Sequence, residues 1–100
     1  MDPLKVIAAE RRRRILELVW DCERTAGDIA GHFDVSWPAI SQHLRILREA
    51  GYVTQRRDGT TLYYRANPEA LGELRAIIES HWRTGLARLK TLVQSDKETP

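Results

Sequence analysis

VSWPAISQHLRILREAG, residues 35–51 of a 100-residue chain, reads as one helix with a start and a stop written into it. Ser36 is a strong N-cap, because its hydroxyl oxygen can accept from an otherwise unpaired amide of the first turn. Pro38 fits inside that first turn, where an N–H is not needed. Ile40, Leu44, Leu47 and Ala50 follow at spacings of four, three and three, which stacks them on one helical face, and Ile46 widens the stripe. Gly51 supplies the stop. Ser36, Trp37, Ala39, Ser41, Gln42, His43 and Arg45 surround the first two turns, a mainly polar set. The spacing predicts a helix over about 37–50 with an apolar inner face and a polar outer one.

Upstream, Pro3–Ala9 reads as a short helix and Glu10–Trp20 as a second, with Ile15, Leu16, Leu18 and Val19 as its apolar stripe behind Arg11–Arg14. Asp21–Arg24 is polar and breaks the pattern. Thr25 can cap a third helix over Ala26–Phe33, with Asp28 placed to answer as a capping box and with Ile29, Ala30 and Phe33 turned inward. A tight turn at Asp34–Val35 then leads into the helix beginning near Ser36.

Downstream the period changes from helical to alternating. Tyr52–Arg57 and Thr61–Arg65 are rich in β-branched and aromatic residues, and Asp58-Gly59 between them signals a two-residue hairpin turn. The hairpin, about 52–66, carries Arg56, Arg57 and Arg65. Asn67-Pro68 ends it and opens a last helix over about 68–94, with Leu71, Leu74, Ile77, Ile78, Trp82, Leu86, Leu89, Leu92 and Val93 at helical spacing. So broad a stripe exceeds what one small domain covers and is more naturally covered by a second subunit. Leu4, Leu71, Leu74, Ile78, Trp82, Leu86 and Leu89 are the expected dimerisation residues, placing the contact on the N- and C-terminal helices. Residues 95–100 are polar and read as a frayed end.

The length suits a single domain, 1–100, and apolar and charged fractions of 42% and 30% are those of a soluble globular protein. Cys22 is the only cysteine, which rules out an internal disulfide and fits a reducing, cytoplasmic setting. No apolar run is long enough for a signal peptide or a membrane span, so no membrane partner is expected. Formal net charge is only +2, but residues 36–66 hold five arginines against Glu49 and Asp58. A basic surface concentrated on a helix and the hairpin after it is what a phosphate-facing site requires.

The expected architecture is therefore mainly α with a small β-hairpin: a winged helix-turn-helix, homodimeric through its terminal helices. Its expected partner is double-stranded DNA. Gln42 can pair bidentately with adenine and Ser41 can address several bases. Arg45 and Arg48 can hold phosphates, which set register without reading sequence. Arg56, Arg57 and Arg65 can sit on flanking backbone or in the minor groove. Ser36, Trp37 and His43 complete the expected contact set, with Trp37 placed against a thymine methyl or a sugar.

ERTAGDIAGHFDVSWPAISQHLRILREAGYVTQRRDGTTLYYRANP resembles the DNA-binding half of the ArsR/SmtB family of repressors. The pattern SxPAxSQHLRxLREAGxV over Ser36–Val53 is its most specific part, supported by the RRDGTTLYYR hairpin and by RRRILELV at Arg12–Val19. The resemblance covers about residues 4–93. It implies a homodimer, paired through its first and last helices, that represses transcription at an inverted repeat. It also implies that Ser41, Gln42 and His43 face the groove while the wing touches the backbone.

Metal sensing is the alternative that the resemblance invites. Many members hold thiolates in a CxC on the helix before the recognition helix, where this chain has Thr25 and Gly27. That site is absent, so no response through thiolates and no cofactor are expected. Other members bind zinc between C-terminal helices, and Glu79 and His81 are the weak candidates here, because zinc takes about four ligands and no further His-rich pair follows them. The alternative role for His81 is a polar surface position. Cys22, between Asp21 and Glu23, reads as passive. His32 reads as a surface residue, and Trp20 and Trp82 as packing. No nucleophile elbow, phosphate-cradling glycine loop or paired-carboxylate motif points to an enzyme. A protein-binding winged helix is the remaining rival; it would need an apolar recognition face, and this face is polar and basic.

Overall fold

The serine, the proline and the glycine around the helix that follows Val35 do in three dimensions what their chemistry predicts. In the computed structural model, which describes residues 3–83, Ser36 is extended (φ −69°, ψ 155°) and its Oγ accepts from the Ala39 amide at 3.4 Å. The helix runs Trp37–Glu49. It closes with paired bonds in which Gly51 N donates to Arg48 O at 3.0 Å and Tyr52 N donates to Leu47 O at 2.9 Å. This double closure needs a left-handed residue after the cap, and Gly51 supplies it at φ 86°. Leu47 and Tyr52, at its two ends, are both buried.

In chain order the elements are α1 (Pro3–Ala8), α2 (Glu10–Leu18), β1 (Arg24–Thr25), α3 (Ala26–Ala30), α4 (Trp37–Glu49), β2 (Val53–Asp58) and β3 (Thr61–Ala66). A 3-10 turn (Pro68–Leu71) follows, and then a helix, α5, whose described part is residues 74–83. Ile15, Leu16 and Val19 around α2, Ile29 of α3, and Ile40, Leu44 and Leu47 of α4 form the centre of the core. Thr25 caps α3 as expected, its Oγ1 accepting from Asp28 N at 3.1 Å. Asp28 does not return the bond, because its carboxylate is engaged by Arg24 at 2.7 Å. Phe33 lies beyond the end of α3 and is only half-buried, under the Arg14 guanidinium at 4.8 Å.

The sheet has three antiparallel strands in the order β1-β3-β2, where the sequence suggested two. Arg24 pairs with Tyr64 and Thr25 with Tyr63, so the residues just before α3 cover the second edge of the wing. A two-residue strand carries no alternation of its own and is recognisable only from its partner. The hairpin turn is also displaced by one residue. Asp58 pairs with Thr61, which leaves Gly59-Thr60 as the turn, with positive φ (64°) at Gly59 alone among the two. That is the pattern of a turn with glycine at its first central position.

The last helix does not begin at Pro68. The 3-10 turn ends at Gly72, whose φ of 56° reverses the chain before α5 starts at residue 74. In consequence Leu71 (4% exposed) and Ile78 (3%) are buried in the chain's own core. Leu74 and Trp82 pack partly against the same core, and Trp82 meets Trp20 edge to face at 4.9 Å. Leu4 (66%) and Ile77 (64%) remain exposed. Leu86 and Leu89, with the rest of the expected helix to 94, lie outside the described residues. Among those residues no helix is long and apolar enough to cross a membrane.

Substituting Gly51→Ala should cost about 1 kcal/mol, although an added Cβ would meet nothing within 4 Å, because the penalty is the left-handed backbone itself. Urea titration at fixed protein concentration should show a lower midpoint with an unchanged slope. An unchanged midpoint would contradict this account of the helix stop.

Candidate nucleic-acid interface

Helix α4 buries Ile40, Leu44 and Leu47, so the residues between them project outward. Ser41, Gln42 and Arg45 are exposed, and with Pro38, Ile46 and Glu49 they line an open groove of ≈ 510 Å³ along the helix. A second groove, ≈ 410 Å³, lies between the start of α3, the first turns of α4 and the wing. Trp37 and Ser41 line it from α4, Thr25 and Gly27 from the strand and helix before, and Thr60, Thr61, Leu62 and Tyr64 from the hairpin. Trp37, 55% exposed, forms its outer wall, and Gly27 leaves room beside the ring.

The arginines of this surface differ in how far they are committed. Arg45 is paired with Glu49 at 3.0 Å, a solvent-exposed one-turn pair of small energetic worth that a phosphate can replace. Arg48 donates to Gln55 Oε1 at 2.9 Å, and Gln55 Nε2 donates to the Tyr64 hydroxyl at 2.8 Å, which ties the back of α4 to the sheet.

Alternation along β2 and β3 then divides the wing. Val53, Gln55 and Arg57 stand opposite Ala66, Tyr64 and Leu62, and Val53, Tyr64 and Ala66 are buried, so this face looks toward α4. Thr54, Arg56 and Asp58, opposite Arg65, Tyr63 and Thr61, form the outer face. Arg56 is held there twice by Glu23, at 2.9 and 3.2 Å, and its guanidinium lies over the Tyr63 ring at 4.6 Å. The hydrogen bond from Arg56 keeps the Glu23 carboxyl below its ordinary range and raises Arg56 in return. The pair therefore holds at neutral pH and is lost only as pH falls through the depressed range of Glu23. Arg65 lies on the outer face as well, and its charge acts on Glu23. Arg57, at the tip and on the α4 side, has no ion pair or side-chain hydrogen bond among the described residues.

His43 is not on the outer face with Ser41 and Gln42. It is half-buried, and its Nδ1 lies 3.3 Å from Arg12 Nη1. Positions 40, 43, 44 and 47 share one side of a helix, so the same spacing that placed the apolar stripe also turns His43 inward. Burial, and then the Arg12 and Arg11 charges, push its pKa down. Glu79 is engaged by Arg75 at 3.0 Å while His81 is exposed, and among the described residues no group of three or more metal-ligating side chains is gathered. Cys22 is exposed, with its thiol 3.7 Å from the Leu18 carbonyl.

The family profile for "Bacterial regulatory protein, arsR family" matches residues 9–55. The chain is similar to the transcriptional repressor SdpR of Bacillus subtilis, 45% identical over 67 residues, which is 67% of this chain and 74% of that protein. Among solved structures it is similar to a possible transcriptional regulator for arsenical resistance, with a TM-score of 0.70 at 47% identity, covering 91% of this chain and 95% of that one. It is also similar to the homodimeric winged helix-turn-helix DNA-binding domain of a possible ArsR-family regulator from Mycobacterium bovis, with a TM-score of 0.66 at 28% identity, covering 98% and 79%. The matching family is one of regulatory proteins and the Bacillus subtilis relative is a transcriptional repressor, which sets the enzyme alternative aside.

Arg57→Ala should weaken binding to duplex DNA of any sequence and lower the salt slope by about one. Arg56→Ala should change that slope much less, since Glu23 already neutralises its charge. Fluorescence anisotropy with random duplex over a range of salt distinguishes the two, and equal slopes for both variants would contradict the division of the wing.

Proposed function

Because the chain belongs to the arsR family of bacterial regulatory proteins and is a DNA-binding transcriptional regulator, we propose that it represses transcription in the cytoplasm by holding an inverted-repeat operator as a homodimer. The observation that carries this reading is the exposed row Ser41, Gln42 and Arg45 on a helix whose other face is fully committed to the core. Ser41 and Gln42 are the base readers. Arg45, released from Glu49, and Arg48 hold phosphates on either side, and Arg57 reaches the flanking backbone from the wing. Ser36 sets the start of the helix, and Trp37 packs on a sugar or a thymine methyl. Arg65 contributes field more than contact, and Arg56, neutralised by Glu23, contributes little of either. His43 is left out of the contact set.

Pairing through the terminal helices is supported by two exposed side chains, Leu4 of α1 and Ile77 of α5, which water solvates poorly. The homodimeric state of the Mycobacterium bovis domain supports the same arrangement. A two-fold dimer presents its two reading helices in opposite senses, and such a pair matches an inverted repeat with half-sites about one helical turn apart. The repressing sense is supported by the name of the Bacillus subtilis relative. The chain's single cysteine supports a regulator that does not respond to metal through a thiolate pair.

Selection of duplexes from a random pool tests the reading directly. The expected product is a palindromic site bound with strong salt dependence. Selection that returns no shared sequence, or affinity unmoved by salt, would overturn it. Gln42→Ala should relax preference at one position of each half-site, at a cost of about 1–3 kcal/mol. Light scattering at micromolar concentration should give the mass of a dimer, and a monomer would contradict the pairing.

A further inference from the structure

We propose that Arg12 is a positioning residue for DNA recognition, joining the C-terminal end of α1 to His43 of the recognition helix so that the pose of α4 depends on the helix that carries exposed Leu4. The inference rests on the DNA-binding reading above.

One guanidinium makes all three attachments. Its Nε donates to the Val6 carbonyl at 2.6 Å and its Nη2 to the Lys5 carbonyl at 3.0 Å, satisfying two carbonyls that the end of α1 leaves open. Its Nη1 faces His43 Nδ1 at 3.3 Å, across 31 residues of sequence. The planar fork sets all three directions together, which a lysine cannot do. Val6 is 2% exposed, so the α1 end of this bridge is seated in the core. His43 is next to Gln42 and two residues from Ser41. A small roll of α4 at His43 therefore moves both base readers, whose bidentate contacts tolerate little misalignment.

The bridge requires a neutral imidazole with its lone pair on Nδ1, because a protonated ring has no acceptor there. The charges acting on His43 among the described residues are Arg12 and Arg11, both from α2, and α1 presents only carbonyls to Arg12. Both charges, together with burial, disfavour the imidazolium. With the folded pKa below its ordinary value of about 6.5, the contact is intact at and above that value and is lost only as pH falls further, through the depressed range of His43. A histidine that touched phosphate would behave in the opposite way, since its added charge would tighten binding on acidification.

The test uses the full chain and its selected duplex, read by anisotropy at about pH 7.5 and, to pass below a depressed imidazole pKa, at about pH 4.5. At the higher pH, His43→Ala should weaken specific binding roughly three- to tenfold while His43→Gln restores it, and Arg12→Lys with His43→Ala together should be no weaker than Arg12→Lys alone. Wild type should lose a similar factor at the lower pH, and His43→Gln should not. Circular dichroism melts confirm that each variant is folded. Unchanged affinity in folded His43→Ala, additive losses in the double variant, or wild-type binding that tightens on acidification would each overturn the proposal. Failure of the wild type to bind at the higher pH would instead overturn the DNA reading itself.

Discussion

The inner stripe of α4 is the constraint on which the rest of the structure depends. Ile40, Leu44 and Leu47 lie almost wholly out of water against α2, α3 and the sheet, at about 1.5–3 kcal/mol each relative to exposure. Their burial fixes the rotation of the helix about its own axis. Once that rotation is set, Ser41, Gln42 and Arg45 have only one direction to face. The wing is fastened to the same frame through backbone atoms: Ala66 N donates to Val19 O at 2.9 Å and Asn67 N to Tyr52 O at 2.8 Å, while Asn67 Nδ2 donates to the Gly51 carbonyl at 3.2 Å. Helix α4 and the wing are therefore joined in one surface.

The distribution of arginines over that surface follows from geometry rather than from composition. Three wing arginines look equivalent in the sequence, yet period-2 alternation sends Arg57 to the α4 side and Arg56 and Arg65 to the other. Glu23 is brought to Arg56 only because β1 adds to the edge of the hairpin. The arginine run before the α2 stripe is likewise divided. Arg12 and Arg13 hold carbonyls at the end of α1, and Arg14 covers Phe33. Much of the positive charge of the N-terminal segment is thus committed to holding elements together, and the charge open to a nucleic acid is the local excess on α4 and the wing rather than the net charge of the chain.

Much of this was legible residue by residue. Ser36 and Thr25 announced two helix starts, Gly51 one stop, and the 3.6-residue spacing the buried stripe. The errors arose where an element has no pattern of its own. Arg24–Thr25 is too short to alternate, and its strand character comes from pairing with β3. Gly72 stands inside a helically spaced set of apolar positions that reads as unbroken helix, and its positive φ marks the reversal that turns Leu71 inward and delays α5 to residue 74. The inward turn of His43 was available from the spacing, although the family pattern implied a groove-facing residue.

The sequence by itself determined the main helices, the hairpin and the polar row that α4 exposes, because caps, glycine stops and hydrophobic period are local properties carried by neighbouring residues. Tertiary structure decided which charged side chains remain available, which apolar residues of the last segment this chain buries itself, and which partner His43 meets. Those outcomes depend on contacts between residues 31 or 33 positions apart, Arg12 with His43 and Glu23 with Arg56, and no local pattern encodes a partner at that distance.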